Sequence, residues 1–128
     1  MPRTTSVKVY LADDSALIRT RVAAMLAAPA MTIVGQGATP QACIDGILAS
    51  HPDMVVLDVQ LEGGSGLEVL RAVRDKAPGV QFIVLSNNSQ AAYCKRYLAE
   101  GARLFLDKST EFDQLAAAVA AAQPQSPA

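Results

Sequence analysis

The stretch that decides the fold is Met54-Val55-Val56-Leu57-Asp58, in which four apolar residues lead to a carboxylate. A run that is apolar throughout, without alternation, is typical of a strand covered on both faces of a parallel sheet. Similar short runs occur at Val7–Ala12, Thr32–Gln36, Phe82–Leu85 and Arg103–Asp107. Stretches with helical spacing separate these runs, so strand and helix alternate five times along the chain. This alternation predicts an α/β fold, a doubly wound five-stranded parallel sheet with helices on both faces.

The predicted helices have recognisable ends. Ser15 and Thr39 are suited to cap the first two helices, and Pro40 fits the first turn of the second. Thr110 with Asp113 three residues later resembles a capping box for the last helix. The five helices are predicted at Ser15–Ala28, Pro40–Ser50, Gly66–Asp75, Gln90–Glu100 and Glu111–Ala122.

The composition excludes several classes of function. With 128 residues, 51% of them apolar, the chain has the length and composition of one compact domain. A net charge of −1 and the lack of a basic stretch argue against direct nucleic-acid binding. No apolar run reaches the roughly 18 residues of a membrane span, and the first residues lack the apolar core of a signal peptide. The two cysteines, Cys43 and Cys94, are expected to be free thiols in the cytoplasm.

Polar residues follow four of the five predicted strands. Asp13 and Asp14 follow the first, Asp58 ends the third, Ser86 follows the fourth and Lys108 follows the fifth. In a parallel sheet these positions meet at one edge, where ligands of such folds bind. Gathered carboxylates repel one another and need a cation, and hard oxygen ligands suit Mg²⁺. A metal, a reactive carboxylate and a lysine indicate a phosphoryl-transfer site.

Other chemistries fit the sequence less well. A phosphatase of the haloacid-dehalogenase type also uses an aspartate after a strand, but it needs a second aspartate at the position of Gln60. The pair Gly35 and Gly37 follows the second strand, not the first, which argues against a dinucleotide site. The segment 63–66 lacks the lysine of a phosphate-binding loop and is interpreted as a mobile turn. A binding module that is never phosphorylated remains a further alternative.

Over residues 7–122 the chain resembles the receiver domain of bacterial two-component response regulators, including the chemotaxis-type regulators made of a receiver alone. The resemblance rests on correctly spaced motif residues: Asp13, Asp14, Asp58, Gly66, Ser86, Phe105 and Lys108. It implies a flavodoxin-like sheet with strand order 2-1-3-4-5. On this basis residues 1–122 are expected to form the receiver domain and residues 123–128 a flexible C-terminal tail.

The resemblance also implies a role for each matched residue. Asp58 would accept a phosphoryl group from a histidine kinase, a phosphotransfer protein or a small phosphodonor. Mg²⁺ would be held by Asp13, Asp14, Asp58 and the main-chain carbonyl of Gln60. Lys108 would pair with the phosphoryl oxygens. Ser86 and Phe105 would act as the switch residues.

Output is expected through protein contact rather than enzymatic turnover. The implied surface is formed by the fourth helix, fifth strand and fifth helix, where Tyr93, Lys95, Arg96 and Tyr97 would offer a downstream protein anchors and charge. The protein is expected to act as a switch, as a monomer or weak homodimer.

Three positions depart from the family's usual residues. Glu62 replaces a proline, which predicts a more mobile segment after Asp58. Asn87 is larger than the usual alanine or glycine beside the switch hydroxyl. Ser109 replaces a proline usually preceded by a cis bond, so the loop geometry there is expected to differ.

Overall fold

Five parallel strands form the main sheet, with β3 at its centre. The computed structural model describes residues 7–27, 31–87 and 91–121. The strands of this sheet are β1 (Val7–Ala12), β2 (Met31–Gly37), β3 (Met54–Asp58), β6 (Gln81–Ser86) and β7 (Leu104–Asp107). Two further strands, β4 (Gln60–Leu61) and β5 (Gly64–Ser65), pair only with each other. The main sheet has the order β2-β1-β3-β6-β7, which confirms the predicted order 2-1-3-4-5 for its five strands.

Helices cover both faces of this sheet, as predicted. They are α1 (Ala16–Met25), α2 (Pro40–Ser50), α3 (Gly66–Lys76), α4 (Ala91–Ala99) and α5 (Leu115–Ala120), the last preceded by a 3-10 turn at Phe112–Gln114. Val55 and Leu57 of β3 pack in the cluster that contains residues of α2, α3 and α4. Met54 and Val56 pack in the opposite cluster, with residues of α1 and α5. Burial of every β3 residue explains why its sequence does not alternate.

Local capping signals located two helix starts correctly. The Ser15 hydroxyl accepts from the Ile18 amide at 3.2 Å, and the Thr39 hydroxyl accepts from the Ala42 amide at 3.2 Å. At the start of α3, Ser65 forms a capping box with Glu68 that the sequence analysis did not identify. The segment interpreted as a mobile turn therefore forms the β4–β5 hairpin and its helix cap.

Two predicted helix boundaries were wrong. Thr110 and Asp113 do not form a capping box: the chain enters a 3-10 turn at Phe112 without a side-chain cap. The Glu111 carboxylate accepts from the Asp107 amide instead, which draws the start of this segment toward β7. At the other error, α1 ends at Met25, because the Ala27 amide turns back to the Ala24 carbonyl.

Some predictions fall outside the described residues. These are the predicted end at Ala122, the predicted start at Gln90 and the proposed tail at 123–128. In the part of the chain that is described, no helix combines the length and apolarity needed to cross a membrane.

The ring of Tyr10, in β1, is buried against three glycines. Cβ atoms built on Gly35, Gly37 and Gly46 would lie 2.8, 2.6 and 2.5 Å from atoms of this ring or its hydroxyl. The hydroxyl donates to the Ala42 carbonyl at 3.3 Å. Glycines that superficially suggested a nucleotide motif therefore make room for an aromatic side chain in the core.

Candidate functional site

The polar residues at the strand ends converge at one edge of the sheet. Carboxylate oxygens of Asp13, Asp14 and Asp58 all lie within 4.8 Å of one another. The Lys108 ammonium lies 3.0 Å from Asp13 Oδ2 and 3.0 Å from Asp58 Oδ2. Asp13 and Asp58 are buried, whereas Asp14 is exposed. The result is a compact acidic cluster bridged by the ammonium of Lys108, whose side chain is 9% exposed.

Strand register and hydrogen bonds fix Asp13. Ala12 pairs with Leu57 in the sheet, so the next residues of the two strands, Asp13 and Asp58, lie side by side. Asp13 Oδ1 accepts from the Ser15 amide at 2.9 Å, which leaves Oδ2 for Lys108. Arg19 of α1 donates to the Asp13 carbonyl at 2.5 Å. The sequence analysis missed Arg19, whose only signal was its place one helical turn after the Ser15 cap.

Hydrogen bonds and close packing hold the main chain at Asp58 and Val59. The Val59 amide donates to the Leu85 carbonyl at 3.1 Å, and the Gly66 amide donates to the Val59 carbonyl at 2.8 Å. A Cβ on Gly66 would fall well inside 3.0 Å of the Asp58 carbonyl oxygen, a separation that real Cβ atoms essentially never show. Glycine is therefore required where α3 begins. The motif residue Gly66 has this steric role.

Burial and charge act in opposite directions on Asp58 and Lys108. Burial, followed by the charge of Asp13, raises the pKa of Asp58 to about 6 against the opposing effect of Lys108. Burial by itself lowers the pKa of Lys108, but its bonds and charge pairing with Asp58 and Asp13 raise that pKa overall. Lys108 is therefore stabilised in its charged form, whereas ionisation of Asp58 is unfavourable.

The residues around Lys108 form a closed turn. The Lys108 amide donates to the Ser86 carbonyl at 2.8 Å. The amide and hydroxyl of Ser109 donate to Asp107 Oδ1 at 2.7 and 2.5 Å. No cis peptide bond occurs among the described residues, so the Lys108–Ser109 bond is trans. The sequence analysis missed the roles of Asp107 and Glu111, because both pair locally and neither belongs to a recognised motif.

Ser86 occupies the strand end expected of it, but Phe105 does not lie beside it: Phe105 is the second residue of β7 and pairs with Val84, whereas Ser86 pairs with Asp107. Ser86 is buried at the end of β6 and lines the same cleft as Asp58 and Lys108. Phe105 is half-buried, with its ring centroid 6.0 Å from that of Tyr97. Tyr97 is only 2% exposed, so the expectation that it serves as a partner anchor is wrong. Helical spacing alone did not show which face of α4 packs on the sheet.

The cluster opens into a cleft of about 1000 Å³. Its polar lining includes Asp14, Gln60 and Asn87, and its apolar wall includes Ile18 and Phe112. The Gln60 amide donates to Asp58 Oδ1 at 3.3 Å and so contacts the central carboxylate directly. The cleft is large enough to admit a phosphorylated group to Asp58.

The donor set fits a hard divalent cation. Three carboxylates within 4.8 Å of one another supply oxygen ligands, and their charge exceeds that of the Lys108 ammonium, which contacts two of them. Mg²⁺ is usually bound in proteins by a few carboxylates and keeps several waters. Asp14, which is exposed, gives the cluster an opening toward solvent for those waters.

Comparison with known proteins identifies the family. The profile of the response regulator receiver domain matches residues 9–120, and the chain belongs to that family. The transcriptional regulatory protein DesR of Bacillus subtilis is 25% identical over 114 residues, which cover 88% of this chain and 56% of DesR. The nitrate/nitrite response regulator NarL of Escherichia coli is 30% identical over 108 residues, which cover 84% of this chain and 50% of NarL. The chain thus spans about half the length of these relatives.

Solved structures agree with this assignment. The signal receiver domain of NarL from Mycobacterium tuberculosis is 28% identical in sequence and superposes with a TM-score of 0.84. The superposition covers 91% of this chain and 94% of the NarL chain. Receiver domains are switch modules of two-component systems; they bind Mg²⁺ at an acidic pocket and interact with histidine kinases or phosphotransfer proteins. The assignment favours the receiver interpretation over a haloacid-dehalogenase-type phosphatase. Such a phosphatase would need an aspartate at position 60, where this chain has Gln60.

Proposed function

We propose that this receiver domain is switched by phosphorylation of Asp58. The observation that carries the proposal is the contact of the Lys108 ammonium with both buried carboxylates, at 3.0 Å each. Stability alone would not favour this arrangement, because buried carboxylates repel and their burial is costly. An arrangement of this kind is typical of sites that bind charge, here the charge of a phosphoryl group and its metal.

The proposed reaction is a phosphoryl transfer to a carboxylate. A carboxylate oxygen of Asp58 attacks the phosphorus of a phosphohistidine or a small acyl phosphate, while the bond to the donor's nitrogen or oxygen breaks and the donor leaves with its electron pair. Lys108 pairs with phosphoryl oxygens as the charge develops on them. Asp13, Asp14, Asp58 and the Gln60 carbonyl would hold Mg²⁺, which supplies positive charge to the same oxygens.

The proposed switch runs from Ser86 to α4. A phosphoryl group on Asp58 adds charge and acceptor oxygens within the cleft that Ser86 lines. Attraction of the Ser86 hydroxyl would open space near Phe105, whose ring packs against Tyr97 of α4. Because Tyr97 is buried, it would transmit the change, whereas the exposed Tyr93 would meet the partner. The proposed output surface is therefore α4, β7 and α5, and the target a downstream protein.

Intact-mass measurement tests the phosphorylation. The wild-type chain with acetyl phosphate and Mg²⁺ should gain one phosphoryl group, and Asp58→Asn should gain none. Asp113→Asn is the matched control, because Asp113 lines the same cleft but lies outside the acidic cluster. Equal labelling of wild type and Asp58→Asn would refute the assignment, and no labelling of any variant would favour the binding module that is never phosphorylated.

Hydrogen exchange tests the switch. Addition of beryllofluoride and Mg²⁺ should change exchange more strongly over 86–108 than in α1 and α2. A change confined to residues 60–66, with α4 unaffected, would mean that the signal leaves by another route.

A further inference from the structure

The Lys108 ammonium has a defined position although its side chain is long. Free lysine side chains sample many rotamers, and ordering one costs up to about 2 kcal/mol of conformational entropy. Two carboxylates hold the tip of this side chain. The base of the side chain is carried by the main chain of the 107–109 segment, where the Lys108 amide donates to the Ser86 carbonyl at 2.8 Å. How that segment is fixed therefore affects where the ammonium lies.

Two sets of hydrogen bonds close the segment around Lys108. Asp107 and Glu111 bond reciprocally: the Glu111 amide donates to the Asp107 carbonyl at 2.8 Å, and the Asp107 amide donates to Glu111 Oε1 at 2.9 Å. Between these two residues, the amide and the hydroxyl of Ser109 both donate to Asp107 Oδ1, at 2.7 and 2.5 Å. The acceptor is a buried carboxylate, only 8% exposed, and hydrogen bonds to ionised acceptors are the stronger kind.

Ser109 differs from the other members of this turn. It is exposed, so its hydroxyl contributes little to core packing, yet that hydroxyl makes the shortest bond of the turn, at 2.5 Å. We propose that Ser109 is a positioning residue for Lys108, which fixes the 107–109 main chain through Asp107 and so holds the ammonium beside Asp58. The expected effect of Ser109 on phosphoryl transfer rests on the proposed function. Its expected effect on the position of Lys108 rests only on the geometry of the protein without metal or phosphoryl group.

Removal of the hydroxyl should loosen Lys108 and slow the reaction. Ser109→Ala leaves the amide bond to Asp107 but removes the hydroxyl bond, and loss of one hydrogen bond to a charged group corresponds to about a tenfold effect. We therefore expect labelling of Asp58 by acetyl phosphate to slow about tenfold. Ser109→Thr keeps a hydroxyl at the same position and should restore the wild-type rate. Thr110→Ala removes the neighbouring exposed hydroxyl and is the matched control.

The deciding measurement is the NMR order parameter of the Lys108 ammonium, without metal or phosphodonor, alongside the labelling rate. The order parameter should fall in Ser109→Ala and stay near wild type in Ser109→Thr and Thr110→Ala. A role limited to stability would shift the unfolding midpoint and leave the ammonium ordered. Asp107→Asn, which keeps one acceptor oxygen but no charge, should give a smaller effect in the same direction.

The outcomes separate this inference from the function on which it rests. If the wild type is not labelled, the proposed function fails, and the order parameter still decides whether Ser109 positions Lys108. If Ser109→Ala keeps the wild-type order parameter, the positioning role is overturned. If the ammonium loosens while the labelling rate stays unchanged, Ser109 positions Lys108 but its effect on phosphoryl transfer is overturned.

Discussion

Replacement of Asp58 by asparagine should stabilise the metal-free protein, although it removes the proposed reactive group. Burial, followed by the charge of Asp13, raises the pKa of Asp58 from 3.8 to about 6. Each tenfold change in acidity corresponds to about 1.4 kcal/mol, so ionised Asp58 destabilises the native state by about 3 kcal/mol at pH 7. This figure already includes the attraction of Lys108. The asparagine keeps one oxygen for the Gln60 amide but loses the Oδ2 acceptor of the Lys108 ammonium, which leaves a gain of about 2 kcal/mol.

The pH dependence of this gain has a definite sign. Because the native pKa is raised, the native state binds more protons than the unfolded state between pH 4 and 6. The contribution of Asp58 to stability is therefore fully present below about pH 4 and is lost as the pH rises through about 6. The advantage of Asp58→Asn over wild type should be largest at pH 7 and shrink steadily toward pH 4.

Urea denaturation in the presence of EDTA measures this effect. Asp113→Asn, which neutralises an exposed carboxylate, should change stability little at either pH. Mg²⁺ should then stabilise the wild type more than Asp58→Asn, since a ligand that binds only the native state adds to its stability. The reasoning is refuted if Asp58→Asn is no more stable than wild type at pH 7, or if its advantage is the same at pH 4.

Three further variants test the fold around the site. Gly46→Ala should destabilise the protein by about 1–3 kcal/mol despite the helical preference for alanine, because the new Cβ would lie 2.5 Å from the Tyr10 hydroxyl. If urea denaturation shows the same loss of stability in a Tyr10→Leu background, this contact is not the cause. Gly66→Ala should destabilise by a similar amount and also slow labelling of Asp58, since its Cβ meets the Asp58 carbonyl; wild-type values in both assays would contradict the packing. Hydrogen bonds from Arg71 and Arg74 lower the pKa of Glu100 to about 2, so the stabilising effect of Glu100 should be present above about pH 4.5 and lost toward pH 2. Glu100→Gln should therefore lower the urea midpoint at pH 7 but not near pH 2, and an equal loss at both pH values would argue against these ion pairs.

The parts of this protein that depend on local sequence were predictable. The apolar run at 54–57 located the central strand because burial on both faces leaves no polar position. The caps at Ser15 and Thr39 were predicted correctly because each involves an amide three residues away. The placement of polar residues at strand ends was sufficient to indicate one site, since parallel strands bring their carboxyl ends to one edge.

Features that depend on tertiary contacts were not predictable. Thr110 had the right sequence for a capping box, but Glu111 pairs with Asp107 and changes the start of the last helix. Tyr97 had the spacing of a surface anchor, but the ring packs against Phe105. The role of the glycines around Tyr10 was not predictable from the sequence, because it depends on the packing of β2 and α2 beside β1.

Direct localisation of the phosphoryl group tests the central claim most directly. The wild-type chain, labelled with acetyl phosphate and Mg²⁺, is treated with borohydride, which reduces an aspartyl phosphate to homoserine, and its peptides are sequenced by mass spectrometry. The proposed function predicts homoserine at position 58, with aspartate unchanged at 13, 14 and 107. Homoserine at one of those positions, or a labelled chain with aspartate intact at 58, would contradict it.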